Sequence, residues 1–381
     1  MRTIMVSITG LFFGVGLVVF LFHGKPVQLS EDLRENKKPA REVIGFLPYW
    51  LVSKVSSDSY KYFSTLTYFG LTLDENAKIK KFDNPGEKEP GWHLLESGKM
   101  GSIFADFSGS GKKLSLLVFC ADQEDIASIV ENPVVNAHNL ISEITPLMSE
   151  FGFSDLNLDI EDLSDTSSES RENFVKFVTE LSRQLKTNYY TLTVEISPTD
   201  MIRNRLTDVK EVAKVADKIV VMGYDYHYVG SFVTGPVGPL RGAESEAEFD
   251  VETAIKLMAE VMPKEKIVLG VPTYGYEWET LGDRPRMAII PGTGQVASNK
   301  RVEQILEDCA ECNLSWDENA KEAYLIYKND ETGTYHQIYY PSTAAMQAKV
   351  DFIKYEDLGG LADWALGYED TTVLDPLEEL F

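Results

Sequence analysis

Phe153-Ser154-Asp155-Leu156-Asn157-Leu158-Asp159-Ile160-Glu161 is the stretch on which the fold turns. Its apolar and polar residues alternate, and a β-strand has a side-chain period of two. Asp155, Asn157, Asp159 and Glu161 therefore share one face, and Leu156, Leu158 and Ile160 the other. In a barrel the apolar set packs on surrounding helices and the polar set points inward. Glu161, the last residue, then reaches the C-terminal mouth, where barrel enzymes do their chemistry. Carboxylates in an interior are costly unless they are used or well paired. Asp159 and Glu161 cannot both ionise freely there. Repulsion and desolvation raise one pKa and keep an acid protonated near neutral pH, the state that protonates a leaving glycosidic oxygen. The plain alternative is an amphipathic strand with a solvated acidic face.

Seven further β-rich runs flank this one: Val43–Tyr49, Thr65–Leu71, Lys113–Phe119, Tyr190–Ile196, Lys218–Tyr224, Lys266–Val271 and Gly360–Leu366. Several, such as residues 114–119, are nearly continuous apolar runs, as expected of strands covered on both faces. Helical patterns lie between them. Phe174, Phe177, Val178, Leu181 and Leu185 line one helix face behind a capping box at Thr166-Ser167-Ser168-Glu169. Asn139–Phe151, Val209–Ala216, Val251–Met262 and Ala344–Lys354 read the same way. Eight strands alternating with helices predict an α/β fold, a (β/α)8 TIM barrel over residues 43–381, with a doubly wound open sheet as the alternative. The rhythm breaks after Trp278. Residues 279–344 hold a helix-like stretch and β-rich pieces, with a hairpin turn at Asn329–Gly333, and predict a small α+β insertion between strands seven and eight.

Ile4–Phe22 is free of charged residues. At about 1.5 Å per residue it spans roughly 28 Å, close to the thickness of a bilayer core. His23-Gly24-Lys25-Pro26 offers no small-x-small cleavage site. An uncleaved signal anchor, a transmembrane helix within residues 1–25, is the expectation, with a cleaved signal peptide as its rival. Residues 26–42 are polar and charged and read as a tether. Lys25, Arg34, Lys37, Lys38 and Arg41 outnumber Arg2 on the other side, which by charge count alone keeps the body in the cytoplasm. The interleaved Glu31, Asp32 and Glu35 and the short N-terminal tail leave export open. The expected placement is a membrane-anchored, extracytoplasmic domain, or a secreted one if the segment is cleaved.

The 381 residues carry a formal net charge of −24, which argues against nucleic acid as a partner. Three cysteines exclude a dense disulfide framework, and Cys309 and Cys312, a lone C-x-x-C, lack the second pair of a zinc ribbon and read as neighbouring thiols by chance. The five histidines, His23, His93, His138, His227 and His336, show no metal-ligand spacing. No phosphate loop or dinucleotide fingerprint is present. No metal and no cofactor are expected, and the chain reads as a monomer.

Residues 153–161 resemble the D-G-x-D-x-D-x-E signature of glycoside hydrolase family 18, the chitinases and related N-acetylglucosaminidases. Four other segments extend the resemblance through most of Val43–Asp370. Residues 45–50 (Gly-Phe-Leu-Pro-Tyr-Trp) resemble the first strand, and Met222-Gly223-Tyr224-Asp225-Tyr226 the M-x-Y-D motif of the sixth. Gly270–Trp278 resembles the seventh-strand motif, and Gly359-Gly360 through Trp364 to Tyr368 the eighth. The layout looks most like bacterial spore-germination and cell-wall members. The resemblance implies hydrolysis of β-1,4 linkages in N-acetylglucosamine-containing glycans, chitin-like or peptidoglycan, by a substrate-assisted retaining mechanism. It makes Glu161 the general acid/base and Asp159 the carboxylate that orients the acetamido group. Tyr224 becomes the hydroxyl on the acetamido carbonyl, Asp225 its partner, and Trp364 the floor under the reactive sugar. Met222, Tyr49 and Trp278 are weaker candidates for lining the cleft.

The chain departs from the signature at Ser154, Asp155 and Asn157, which replace Asp, Gly and the middle Asp. Asn157 still hydrogen-bonds but shares no negative charge with Asp159. Val118-Phe119-Cys120-Ala121 replaces the S-x-G-G often found on the third strand. A catalytically weak or silent carbohydrate-binding protein on the same barrel is the alternative function. A structural membrane protein with an acidic ectodomain is a third.

Overall fold

The computed structural model describes residues 40–381 apart from 163, 243–248, 310–311 and 370–371. The predicted span within residues 1–25 and most of the predicted tether lie outside these residues. Among the described residues no helix is long and apolar enough to cross a membrane. The unit Arg41–Phe381 already includes Arg41, whose guanidinium donates to the Asp357 carboxylate at 2.9 Å and to the Leu358 carbonyl at 3.2 Å.

Eight parallel strands close into a barrel: β1 (Glu42–Pro48), β2 (Thr65–Thr72), β3 (Lys113–Cys120), β4 (Asp155–Ile160), β5 (Thr191–Ile196), β6 (Lys218–Met222), β7 (Ile267–Pro272) and β8 (Gly360–Trp364). Each pairs with its sequence neighbours, and β8 closes on β1 through Glu42↔Gly360 to Gly45↔Asp363. The closed order decides for the barrel over an open sheet. A large apolar layer lies between strands and helices, where Leu156, Leu158 and Leu192 meet Phe174, Phe177 and Leu181. A smaller one plugs the barrel itself with Ile44, Phe46, Leu117, Val220, Val268 and Ala362.

The helix Ser168–Thr187 begins where the sequence places its cap, Ser167 Oγ accepting from the Ser170 amide, and buries the predicted face. Three helices, Pro90–Glu96, Met100–Ser108 and Gln123–Glu131, escaped the sequence reading. Each is about two turns long, too short for a 3.6-residue period to stand out.

The insertion begins earlier than its sequence signal. The strand Tyr274–Thr280 continues the apolar run of β7, yet after Thr273 it leaves the barrel and joins a five-stranded antiparallel sheet. Its partners are residues 295–298, 335–340, 322–328 and 313–317, beside the helix Asn299–Asp308. Buried Glu322 fastens this sheet to the barrel by accepting from the Val237 and Gly238 amides, both at 2.7 Å. Cys309 and Cys312 are joined as a disulfide, which corrects the reading of two unrelated thiols. C-x-x-C spacing permits either state, and the chain path after the helix brings their Cα atoms to 5.5 Å.

Candidate active site

The inward face of β4 climbs the barrel from floor to mouth. At the floor, Asp155 accepts from Ser115 Oγ (2.7 Å), Thr191 Oγ1 (2.5 Å) and Thr193 Oγ1 (3.2 Å). Three hydroxyls let a carboxyl occupy a regular strand position. Burial raises its pKa, and the Lys218 ammonium and these donors oppose the rise. One layer up, Asn157 is fully enclosed and its Nδ2 donates to Glu195 Oε1 at 2.7 Å. Asp159 follows, 5% exposed, with Oδ1 unpartnered. Burial holds its carboxyl well above the usual range, and the nearby Glu161 and Glu195 push it further. Glu161 stands just past the strand, half-buried at the mouth, its amide donating to the Cys120 carbonyl at 2.9 Å. Burial, then the charge of Asp225, raises its pKa.

These carboxyls open on a cavity of about 520 Å³. Phe46, Phe69, Phe119 and Trp364 form its apolar side, and Asp159, Glu161, Glu195, Tyr224 and Asp225 its polar side. Trp364, ending β8, packs edgewise on Phe46 (5.5 Å between ring centroids) and Phe69 (5.1 Å). Tyr224 follows β6 with its ring 11° from parallel to Trp364 at 6.5 Å. Burial, then the surrounding carboxyls, pushes its hydroxyl up, so it remains a hydrogen-bond donor. Asp225, in the left-handed region at φ 60°, accepts from Tyr274 Oη at 2.5 Å and Tyr276 Oη at 2.9 Å. Both tyrosines belong to the insertion's first strand, so the insertion reaches the barrel mouth.

The cavity thus brings together Glu161, Asp159, Tyr224, Asp225, Trp364 and Met222. Asn157 lies beneath and touches it through Glu195. Tyr49 and Trp278 are not among the lining residues. Tyr49 sets its ring against Trp50, centroids 4.9 Å apart, and the 44%-exposed Trp50 reaches Phe69 and Trp364. Trp278 is fully buried beneath the loop after β6, where Nε1 donates to the Tyr228 carbonyl at 3.1 Å. It backs Tyr228, which does line the cavity.

Sequence reasoning passed over Glu195 and Tyr228. The signal for Glu195 was present: Thr191-Leu192-Thr193-Val194-Glu195-Ile196 alternates as β4 does, with a carboxyl at the top of the polar face. Tyr228 sits in a loop without periodicity. Among the described residues no group of three or more His, Cys, Asp or Glu could hold a metal ion. The lining offers proton donors and acceptors, an aromatic wall and hydroxyl donors.

Comparison with known proteins agrees with this geometry. Residues 96–369 match the model of glycosyl hydrolases family 18. The chain is 26% identical over 250 residues to the putative sporulation-specific glycosylase YdhD of Bacillus subtilis, covering 64% of this chain and 54% of that one. It spans about half the length of the curated relatives it matches first. The spore cortex-lytic enzyme SleL of Bacillus megaterium superposes with a TM-score of 0.71 at 20% identity, over 90% of this chain and 74% of that one. A family 18 chitinase of Cycas revoluta in complex with (GlcNAc)3 gives 0.71 at 20% identity, over 89% and 99%. At that identity the structures speak for the fold, and the family model, which covers most of the barrel, speaks for the lineage: this chain belongs to glycosyl hydrolases family 18.

Proposed function

We propose that the chain is a glycosidase that hydrolyses β-1,4 linkages in N-acetylglucosamine-containing glycans, chitin-like or peptidoglycan, with net retention. The observation that carries this reading is the convergence of Asp159, Glu161, Tyr224 and Trp364 on one cavity. Trp364 is the face on which the reactive sugar stacks. Glu161, kept in its acid form by burial and Asp225, protonates the departing glycosidic oxygen. The acetamido oxygen of the substrate attacks the anomeric carbon from the other side, so no enzyme nucleophile is used; family 18 is a known exception of this kind among glycosidases. Asp159 holds the acetamido N–H and Tyr224 donates to its carbonyl oxygen, fixing the group for attack and stabilising the cyclic cation. Water then gives a proton to ionised Glu161 and opens the ring, returning the site to its starting state.

The names of the relatives, a glycosylase and cortical fragment-lytic enzymes, and the (GlcNAc)3 bound by a structural neighbour support this substrate class. The formal charge of −24 favours neutral over strongly anionic glycans. The same reading places a monomeric domain outside the cytoplasm, tethered through the apolar N-terminal segment. The Cys309–Cys312 disulfide fits an oxidising compartment. The test is hydrolysis of chitooligosaccharides and peptidoglycan strands by the full chain and by Glu161→Gln. Turnover lost in the variant, with binding kept, is expected. Binding without turnover in both would make the barrel a lectin.

A further inference from the structure

The mechanism uses Asp159, Glu161 and Asp225 and leaves the fourth cavity carboxyl without a task. Glu195 is 4% exposed and rises from β5 beside β4, one residue beyond the paired Leu158↔Val194. Its Oε1 accepts from Asn157 Nδ2 at 2.7 Å, and its Oε2 has no partner. Asp159 Oδ1, in the same cluster, has none either. Buried polar atoms are ordinarily satisfied, so two orphaned carboxyl oxygens at one cavity mark a place where a proton or a ligand is expected.

We propose that Glu195, anchored by the Asn157 amide, is a positioning residue for the acid pair, fixing which oxygens of Asp159 and Glu161 carry the proton they share. The assignment rests on the glycosidase reading and deepens it. The chemistry follows from the inventory of donors. Asn157 supplies an N–H, which commits Oε1 to accepting and leaves Oε2 to hold a proton. The groups acting on Glu195 are Asp155 and Asp159 on β4, Glu161 just past it, and Tyr224 after β6. Crowded by three carboxyls and opposed by the single Asn157 donor, Glu195 is held well above the usual carboxyl range, primarily by burial. Asp159 is raised alongside it, so these carboxyls hold protons between them, and one on Glu195 Oε2 gives the cluster a donor. The amide at 157 makes this arrangement possible. A carboxylate there would face Glu195 with an acceptor in place of a donor.

The experiment compares kcat, KM and their pH profiles on N-acetylchitotetraose for the full chain and for Glu195→Gln, Glu195→Leu and Asn157→Asp. Glu195→Gln keeps the acceptor for Asn157 and puts a fixed N–H donor where the acid holds its proton, whereas Glu195→Leu keeps the bulk and deletes both. Glu195→Leu is expected to lower kcat about tenfold to a hundredfold with KM nearly constant and to displace the pH profile, and Glu195→Gln to retain most of the turnover. Asn157→Asp, which turns the anchoring donor into an acceptor, is expected to lose as much as Glu195→Leu. Melting temperature against pH gives a readout independent of turnover: Glu195→Gln flattens the fall of stability above pH 5. Turnover with Glu195→Leu unchanged in kcat and profile, or Glu195→Gln as impaired as Glu195→Leu, overturns the assignment alone. Absence of turnover by the unaltered chain overturns the glycosidase reading, and this assignment with it.

Discussion

The rings of Tyr224 and Trp364 lie nearly parallel, 11° apart with centroids separated by 6.5 Å, although 140 positions separate them in the chain. Tyr224 follows β6 and Trp364 ends β8, two strands away around the barrel, with β7 between. The arrangement aims a hydroxyl and an indole face at one cavity. The hydroxyl and the face are separable by mutation.

Tyr224→Phe keeps the ring and deletes the donor. If that donor meets charge developing on the acetamido group, kcat falls about a hundredfold to a thousandfold, with little change in KM. Steady-state kinetics on a chitooligosaccharide decides it; a change confined to KM would assign Tyr224 to ground-state binding.

Asp225 governs the acid. Its charge, after burial, raises the Glu161 pKa. Asp225→Asn removes that charge, so Glu161 ionises at lower pH and the acid form is lost sooner. The alkaline limb of the kcat/KM profile should move to lower pH. A profile displaced upward, or not displaced, would refute the coupling.

Stability should fall as the solution becomes more alkaline. Asp200 is pushed up to about 7, mainly by burial. A carboxyl raised in the folded state binds its proton more tightly there than in the unfolded chain. Its contribution is fully present below about pH 4 and is lost as pH rises towards about 7. Each such group costs up to about 1.4 kcal/mol per pH unit within its window. Asp155, Asp159 and Glu195 are shifted in the same direction. The melting temperature is expected to be lower at pH 8 than at pH 5, and Asp200→Asn to reduce the difference.

Glu277 behaves oppositely. It is 1% exposed and accepts from Tyr327 Oη (2.7 Å) and Arg301 Nε (2.5 Å), with His336 Nδ1 at 2.6 Å. Burial raises its pKa, but these partners outweigh burial and draw it down to about 2. Its stabilisation is present above the unfolded value near pH 4 and lost as pH falls towards about 2. Glu277→Gln strands Arg301 and should destabilise the insertion by about 3 kcal/mol, the low end for a broken buried pair because Arg301 reaches solvent. Hydrogen exchange should rise across residues 295–340 and stay unchanged in β4. Equal loosening of both would mean that the insertion and barrel unfold together.

The sequence by itself determined eight strands alternating with helices, because the period-two alternation of β4 and the apolar runs of its neighbours are local patterns dictated by which face is wet; that they close into a barrel was decided by the pairing of β8 with β1. It also determined the carboxyls of β4, since strand geometry alone puts Asp155, Asn157, Asp159 and Glu161 on one side. What only the tertiary structure decided depends on closure. Glu195 acquires a partner when β5 lies against β4, and Tyr274 reaches Asp225 when the chain folds back after β7. Trp278, the last residue of a site motif, lies farther along the strand that leaves the barrel than Tyr274 and Tyr276, and is buried under the loop after β6. Local periodicity fixes which way a side chain points along its own strand. Which side chain it meets is set by the ring of strands as a whole.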